Sequence, residues 1–169
     1  MSNDYKIIFL IFFAVFSSII LAGFQIAFIN QFRWGFNIFL VLISFLILTK
    51  NIYSAFFIGL FGGFLIDTVY FSTFGVTSLL LLFTTAFLII LQKKVLLDLK
   101  SENIFLTGVL AVFFYHFLAW IMNNVLTRGQ EKFSFYFLNS GTVAELMLTA
   151  VLLLIIFSAK SGKMFKLNV

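Results

Sequence analysis

The feature that most constrains the fold of this chain is one carboxylate inside a long apolar run. The stretch 52–75, IYSAFFIGLFGGFLIDTVYFSTFG, has Asp67 as its only charged residue. Ala55, Gly59, Gly63 and Asp67 follow one another at a spacing of four, which places them along one side of a helix. An ionised aspartate that faces lipid at a helix centre costs about 2.5–3.5 kcal/mol. The stripe is therefore expected to face other protein, and its G-x-x-x-G pair suits close helix packing.

The composition of the whole chain indicates what surrounds it. The 169 residues are 63% hydrophobic and 10% charged, with a mean hydropathy of +1.16. A soluble domain is about half apolar and about a quarter charged, so this excess of apolar surface indicates a lipid environment. With no Cys in the sequence, disulfides, thiolate metal sites and cysteine nucleophiles are excluded. The net charge of +5 is explained by lysines that flank spans, and nucleic acid is not an expected partner.

Six apolar segments are predicted to cross the bilayer as one bundle over residues 1–169. A span needs about 20 apolar residues, within a range of about 17–25. The first segment is too long for the apolar core of a signal peptide and is predicted to be retained. A tight turn is expected at Lys50-Asn51, a loop with a short amphipathic piece at 92–103, and an interfacial or re-entrant stretch within 123–141. The predicted spans are 7–29, 34–49, 52–71, 76–91, 104–122 and 142–159.

Basic residues predict the orientation. Six spans place both termini on one side, and the positive-inside rule assigns that side to the cytoplasm. The segments assigned to the inside carry eight basic residues against three outside, which favours N-in and C-in. The inner residues are Lys6, Lys50, Lys93, Lys94, Lys100, Lys160, Lys163 and Lys166, and the outer ones are Arg33, Arg128 and Lys132.

Polar side chains from different spans are expected at one depth, in the outer half of the membrane. A rise of about 1.5 Å per residue puts Asp67, His116 and Glu145 at similar levels, with Gln25 and Asn37 beside them. This set is a possible polar cluster. Asp67 is expected either to contact a partner or to hold helices together. His116 is expected to bond a neighbouring helix rather than a ligand, and Glu145 is expected to reach water at the interface.

The first span carries a second stripe of small residues. Ala14, Ser18 and Ala22 repeat at a spacing of four, a pattern that favours close approach of another helix. Packing inside the bundle and contact with another protein remain equally open for this face.

Enzyme chemistry finds little support in the sequence. The chain has one His, no H-E-x-x-H motif and no phosphate-binding glycine loop. We therefore predict a protein that is not an enzyme, with no catalytic residue, no metal site and no cofactor.

The central region resembles a known family. Gly59, Gly62-Gly63 and Asp67, then Phe74-Gly75 and a Leu-rich helix that opens Val76-Thr77-Ser78-Leu79-Leu80, are similar to the rod shape-determining protein MreD. Gly63, Asp67 and Gly75 match in kind and spacing. The likeness covers about residues 34–94. It departs from the family at the second span, where Arg33 is present but the usual proline is not.

The resemblance implies a non-enzymatic scaffold of the bacterial rod-shape and cell-wall elongation complex. The partners implied are MreC, other membrane proteins of that complex and the lipid bilayer, in a multi-pass protein of the bacterial cell membrane. Asp67 and the glycines around it are then core to the bundle or to a partner helix.

A rival function follows from the same likeness. MreD resembles the substrate-binding S components of energy-coupling-factor vitamin transporters, which also have about six spans, so an S-component-like fold is expected. In those proteins a small-residue stripe on the first helix meets the coupling subunit, a role that Ala14, Ser18 and Ala22 match. A small-molecule ligand is expected only under this alternative, and the G-x-x-x-D-x7-G run fits MreD better.

Overall fold

The computed structural model describes residues 37–70, 75–94, 101–126 and 140–161, together with positions 16, 19–21 and 23. Within these ranges the chain forms helices and no strand, so the prediction of an all-α fold is confirmed for them. The isolated positions between 16 and 23 are also helical. The helices are α1 Ile38–Leu48, α2 Ile52–Tyr70, α3 Val76–Lys94, α4 Ser101–Leu126 and α5 Ser140–Ser161.

Three of these helices are long and apolar enough to cross a membrane. Their apolar segments are Val76–Lys94, Glu102–Val125 and Gly141–Ser158. Helices α1 and α2 contribute shorter apolar segments, Ile38–Leu48 and Ile52–Thr68. Only a helix or a closed barrel satisfies its backbone hydrogen bonds in lipid, so long apolar helices indicate transmembrane segments. The chain is an α-helical membrane protein.

Helix α1 lies at the centre of the described bundle and packs against each of the other four helices. Its 11 residues, IFLVLISFLIL, are apolar except for Ser44, a pattern that buried helices share with membrane spans. Phe39, Leu40, Ile43 and Ile47 have no exposed surface. At about 1.5 Å per residue α1 is only about 16 Å long, against a hydrocarbon core of about 30 Å. A helix that is enclosed by protein does not have to match that thickness.

The α1–α2 connection is a tight turn, as the sequence predicts at this position. Lys50 adopts a left-handed φ of 63°, and its N–H bonds the Ile47 carbonyl at 2.9 Å. The N–H of Asn51 reaches back to the Leu46 carbonyl at 2.8 Å. This pair of bonds is the Schellman arrangement, which satisfies the last carbonyls of α1. The chain therefore reverses direction within two residues, and α1 and α2 run antiparallel.

The last two helices also pack as a close pair. A Cβ placed on Gly108 of α4 would lie 3.2 Å from the Ala150 Cα of α5 and 3.0 Å from the Leu153 side chain. Leu153 in turn belongs to an apolar cluster that joins α5 to α1 and to the start of α4. The members of that cluster are Val41, Leu48, Ile104, Leu153 and Phe157.

Several predicted boundaries need correction. The segment 92–103 was expected to be a loop with a short amphipathic piece, but 92–94 end α3 and 101–103 begin α4. Likewise α4 continues through 123–126, into the predicted connection. The helices extend beyond their apolar segments because polar residues form the same backbone hydrogen bonds. Lys93 and Lys94 also stabilise the end of α3, where the helix dipole is negative. Residues 95–100, 127–139 and most of the first predicted span lie outside the described residues.

Candidate functional site

Asp67, in the last turns of α2, binds the first residues of α3. It is buried, with 1% of its surface exposed. One carboxylate oxygen accepts the backbone N–H of Gly75 at 2.9 Å, and the other accepts that of Thr77 at 3.1 Å. A longer contact of 3.5 Å joins the carboxylate to the N–H of Ser78. The carboxyl group of one helix therefore caps the start of the next.

The start of α3 needs such a group because the first N–H groups of a helix have no partner within the helix. Gly75 is the N-cap residue, since its carbonyl accepts the first helical hydrogen bond, from Leu79 at 3.0 Å. Its side chain has no oxygen with which to cap the helix. Asp67 supplies the acceptor from the neighbouring helix.

The glycines of the stripe allow α2 to approach α3 closely. A Cβ on Gly63 would lie 2.4 Å from the Cα of Ser78 and 2.6 Å from its nitrogen, distances that no real side chain tolerates. The Ser78 hydroxyl donates to the Leu60 carbonyl of α2 at 3.2 Å. One turn further along, a Cβ on Gly59 would be 3.2 Å from the Thr85 hydroxyl. The side of α2 that carries Gly59, Gly63 and Asp67 thus faces α3.

Gly75 needs to be glycine for a separate reason. Its φ is +90°, a backbone conformation that L-residues with a side chain rarely adopt. This conformation aims the Gly75 N–H at Asp67 and starts α3 in the same turn. The eight residues from Asp67 to Gly75 therefore span the connection at which α2 binds the start of α3. We call this contact, formed by Gly63, Asp67 and Gly75, the α2–α3 joint.

A second buried carboxylate, Glu145 of α5, caps a different helix. One of its oxygens accepts the backbone N–H of Asn37, the N-cap residue of α1, at 3.0 Å. The Asn37 side chain in turn accepts the Phe39 N–H at 3.0 Å, in the usual N-cap manner. Glu145 is 1% exposed, so the expectation that it reaches water is wrong. Its oxygens are held by polar groups inside the bundle.

The other oxygen of Glu145 lies 2.6 Å from Nε2 of His116 in α4. The two side chains share this hydrogen bond, and the tautomer of His116 decides which of them donates. The edge of the His116 ring also meets Tyr115, with ring centroids 5.6 Å apart. His116 retains 16% of its side-chain surface. Glu145 therefore joins three helices, because it binds α1 through Asn37 and α4 through His116.

The two capping sites lie at the same end of the bundle. A Cβ on Gly62, in α2, would lie 2.4 Å from the ring of Phe39 in α1. Phe39 is half a turn from Asn37, and Gly62 neighbours Gly63, which touches Ser78 at the start of α3. The possible polar cluster of Asp67, His116 and Glu145 is therefore gathered at one end, with Glu145 and His116 in direct contact. Asp67 instead accepts the N–H groups of Gly75 and Thr77 at the start of α3.

The chemistry available at this end is that of backbone capping. Both oxygens of Asp67 accept backbone N–H groups at the start of α3. Glu145 accepts a backbone N–H at the start of α1 with one oxygen and shares a hydrogen bond with His116 through the other. In the part of the chain that the structure describes, no group of three or more His, Cys, Asp or Glu side chains is arranged to hold a metal ion. The arrangement can fix where helices begin and how they sit against one another.

Some predicted site residues fall elsewhere. Ala14, Ser18 and Ala22, the small stripe of the first span, lie outside the described residues, as does Gln25. Sequence reasoning did not find the contacts of Gly62 with Phe39 or of Ser78 with Leu60. It placed Asn37 at the level of Glu145 but did not predict the hydrogen bond between them. The signal available for Gly62 was its position beside the Gly63 stripe.

No family model, curated protein or solved structure matches this chain.

Proposed function

We propose that this protein is a non-enzymatic scaffold of the bacterial rod-shape and wall-elongation complex, acting through MreC and wall-synthesis enzymes. The observation that carries the proposal is the joint between α2 and α3. Gly63, Asp67 and Gly75 are the three residues whose spacing resembles MreD. In the structure they act together, as a close approach, a carboxylate cap and a left-handed turn.

The joint supports a structural role for Asp67 rather than a catalytic one. A catalytic carboxylate has to reach a substrate atom, whereas both Asp67 oxygens accept backbone N–H groups inside the bundle. A rigid joint keeps the lipid-facing sides of α2 and α3 in one orientation. Phe56, Leu60, Leu79 and Phe83 are exposed on these helices, as a surface that meets lipid or a partner helix would be.

The proposed setting is the bacterial plasma membrane, with six spans and both termini in the cytoplasm. The described helices support this orientation. Lys50, at the end of α1, and Lys93 and Lys94, at the end of α3, are exposed at the end of the bundle opposite the capping carboxylates. Lysines concentrate on the cytoplasmic side of membrane proteins.

The test is mass spectrometry of the proteins that co-purify with a tagged copy from mild-detergent extracts of its own membranes. MreC and wall-synthesis enzymes are the expected partners. Asp67→Ala is expected to weaken their recovery, because the joint loosens, while the protein still inserts. Thr68→Ala, at the exposed neighbouring position, is the matched control. Wild-type recovery and wild-type cell shape with Asp67→Ala would exclude this role for the carboxylate.

A second candidate function, the S component of a vitamin transporter, is favoured by one observation. His116 and Glu145 form a hydrogen-bonded pair of ionisable side chains within apolar helices, and ionisable residues inside membrane proteins often mark substrate sites. This function predicts that a coupling subunit with paired ATPases co-purifies instead of MreC. It also predicts tight binding of a vitamin or related solute by the purified protein, which a solute screen measures.

A further inference from the structure

Two hydroxyl groups in the core of the bundle are left without a hydrogen bond. Ser44 of α1 and Thr149 of α5 are both completely buried. Among the described residues, neither side-chain oxygen has a hydrogen-bond partner. A buried polar group without a partner destabilises the folded state, so native structures normally satisfy it with protein or with water.

Other buried hydroxyls of the same protein show the alternative. Thr84, Thr85 and Thr107 each donate to the carbonyl four residues earlier in their own helix, at 2.7 Å. A helical Ser or Thr reaches that carbonyl simply by its choice of rotamer. The hydroxyls of Ser44 and Thr149 do not use it.

Thr149 lies on the side of α5 that faces α1. Glu145, Thr149, Leu153 and Phe157 follow at a spacing of four and form one stripe. The first of them bonds the N–H of Asn37 in α1. The last two pack in the cluster that includes residues of α1. Thr149 stands between these contacts, so it belongs to the same α1–α5 seam.

Ser44 lies on the matching side of α1. It is three residues after Val41 and four before Leu48, the two α1 members of the cluster shared with α5. Its neighbour Phe45 meets Phe157 of α5 edge-on, with ring centroids 5.6 Å apart. Both orphaned hydroxyls are thus in the seam between the central helix and the last helix.

From this placement we infer that ordered water occupies the α1–α5 seam, hydrogen-bonded to the hydroxyls of Ser44 and Thr149. A buried water makes about three hydrogen bonds, and each hydroxyl offers one donor and two acceptor positions. Glu145, one turn before Thr149 on the same stripe, has lone pairs beyond those used by Asn37 and His116. The polar network of Glu145 then continues through water into the middle of the bundle. This inference goes beyond the scaffold role and does not depend on it.

The test is water-edited solid-state NMR of the full-length protein in deuterated lipid bilayers. The experiment measures magnetisation transfer from water to individual residues. Thr85 is the matched internal control, since it is equally buried but donates to the Leu81 carbonyl. Transfer to Ser44 and Thr149 is expected at mixing times at which Thr85 receives none. If the two seam residues behave like Thr85, the seam is dry and the inference is wrong.

A second experiment tests whether the same water binds both hydroxyls. Thr149→Val removes the hydroxyl and keeps the shape, so water transfer to Ser44 is expected to be lost as well. Thr149→Ser keeps the hydroxyl and is expected to retain the transfer, and Thr85→Val is expected to leave it unchanged. Undiminished transfer to Ser44 in Thr149→Val would show that no common water joins the two residues.

Discussion

Asp67 and Glu145 have the same relation to a helix, although they lie in different parts of the chain. Each accepts the N–H of an N-cap residue, Gly75 for Asp67 and Asn37 for Glu145. A helix that begins inside a membrane protein cannot leave its first N–H groups to water. The carboxyl group supplies the acceptor that lipid lacks. The two buried acids are explained by the helix starts that they serve.

Substitutions of Asp67 test its capping role through their effect on stability. Asp67→Ala leaves the N–H groups of Gly75 and Thr77 without their acceptor, and we expect a loss of about 1–3 kcal/mol in stability. Asp67→Asn keeps one acceptor oxygen and is expected to lose less. Reversible unfolding in mixed detergent micelles measures both, with Thr68→Ala as the neighbouring control. Equal stability of Asp67→Ala and wild type would contradict the capping role.

Glu145 gives a second prediction because its two oxygens face different groups. Glu145→Gln keeps a carbonyl oxygen for the Asn37 N–H and offers an amide donor to His116, whose ring accepts it through a nitrogen that carries no hydrogen. Glu145→Ala satisfies neither. We expect a loss of about 1–3 kcal/mol for Ala and a clearly smaller loss for Gln, measured by the same unfolding assay.

The control for Glu145 is Glu102, which is exposed in the first turn of α4. Its replacement by Ala removes only a favourable charge at a helix start, which is worth less than about 1 kcal/mol. If Gln at position 145 is as damaging as Ala, the charge of Glu145 and not its hydrogen bonds would be the stabilising feature.

At the scale of the element, α2 and α3 are held by backbone proximity more than by side-chain volume. Apolar burial drives helix association weakly in lipid, because lipid is as apolar as leucine, so small residues and hydrogen bonds decide the contact. Gly63 brings the α2 backbone against Ser78, and the Ser78 hydroxyl bonds the Leu60 carbonyl. The cap by Asp67 then locks the register of the pair.

Alanine substitutions of Gly63 and Gly59 distinguish the effect of close packing from the effect of helix propensity. Gly63→Ala places a methyl group 2.4 Å from the backbone of Ser78, which cannot move aside, and we expect a destabilisation of about 1–3 kcal/mol. Gly59→Ala meets the Thr85 hydroxyl at 3.2 Å, where a side chain can adjust, so a much smaller change is expected. Both changes gain the same helix propensity. Unfolding measurements that rank Gly59→Ala as the more damaging would refute this account of the contact.

At the scale of the whole molecule, the bundle has two chemically different ends. One end holds the capping carboxylates and His116, all buried or half-buried. The other carries the exposed lysines Lys50, Lys93 and Lys94. The short helix α1 connects these ends through the centre of the bundle, surrounded by the other four described helices. This polarity supports a fixed orientation in the membrane.

The orientation is testable without background, because the chain has no cysteine. Single substitutions Lys93→Cys and Arg128→Cys mark the proposed inner and outer sides. In intact cells a membrane-impermeant maleimide is expected to label position 128 and to spare position 93 until the membrane is broken. Lys50→Cys should behave like Lys93→Cys. Labelling of positions 50 and 93 in intact cells would reverse the proposed topology.

The class of this protein follows from its sequence alone. Lipid offers no partners for backbone groups, and apolar runs of about 20 residues have the length of a membrane-spanning helix rather than of a barrel strand. The Gly59–Gly63–Asp67 stripe is equally local, since four-residue spacing fixes one side of a single helix whatever surrounds it. The same reasoning missed the ends of α3 and α4, because polar residues carry a helix beyond its apolar run.

Three-dimensional packing established the rest. Glu145 meets Asn37, 108 residues away, and His116, 29 residues away. Those contacts depend on how each helix is rotated about its axis, and no local pattern contains that rotation. The central position of α1 is of the same kind, because an apolar helix looks alike in sequence whether it faces lipid or protein. Periodicity describes one helix at a time, whereas the capping of one helix by another exists only once the helices are packed.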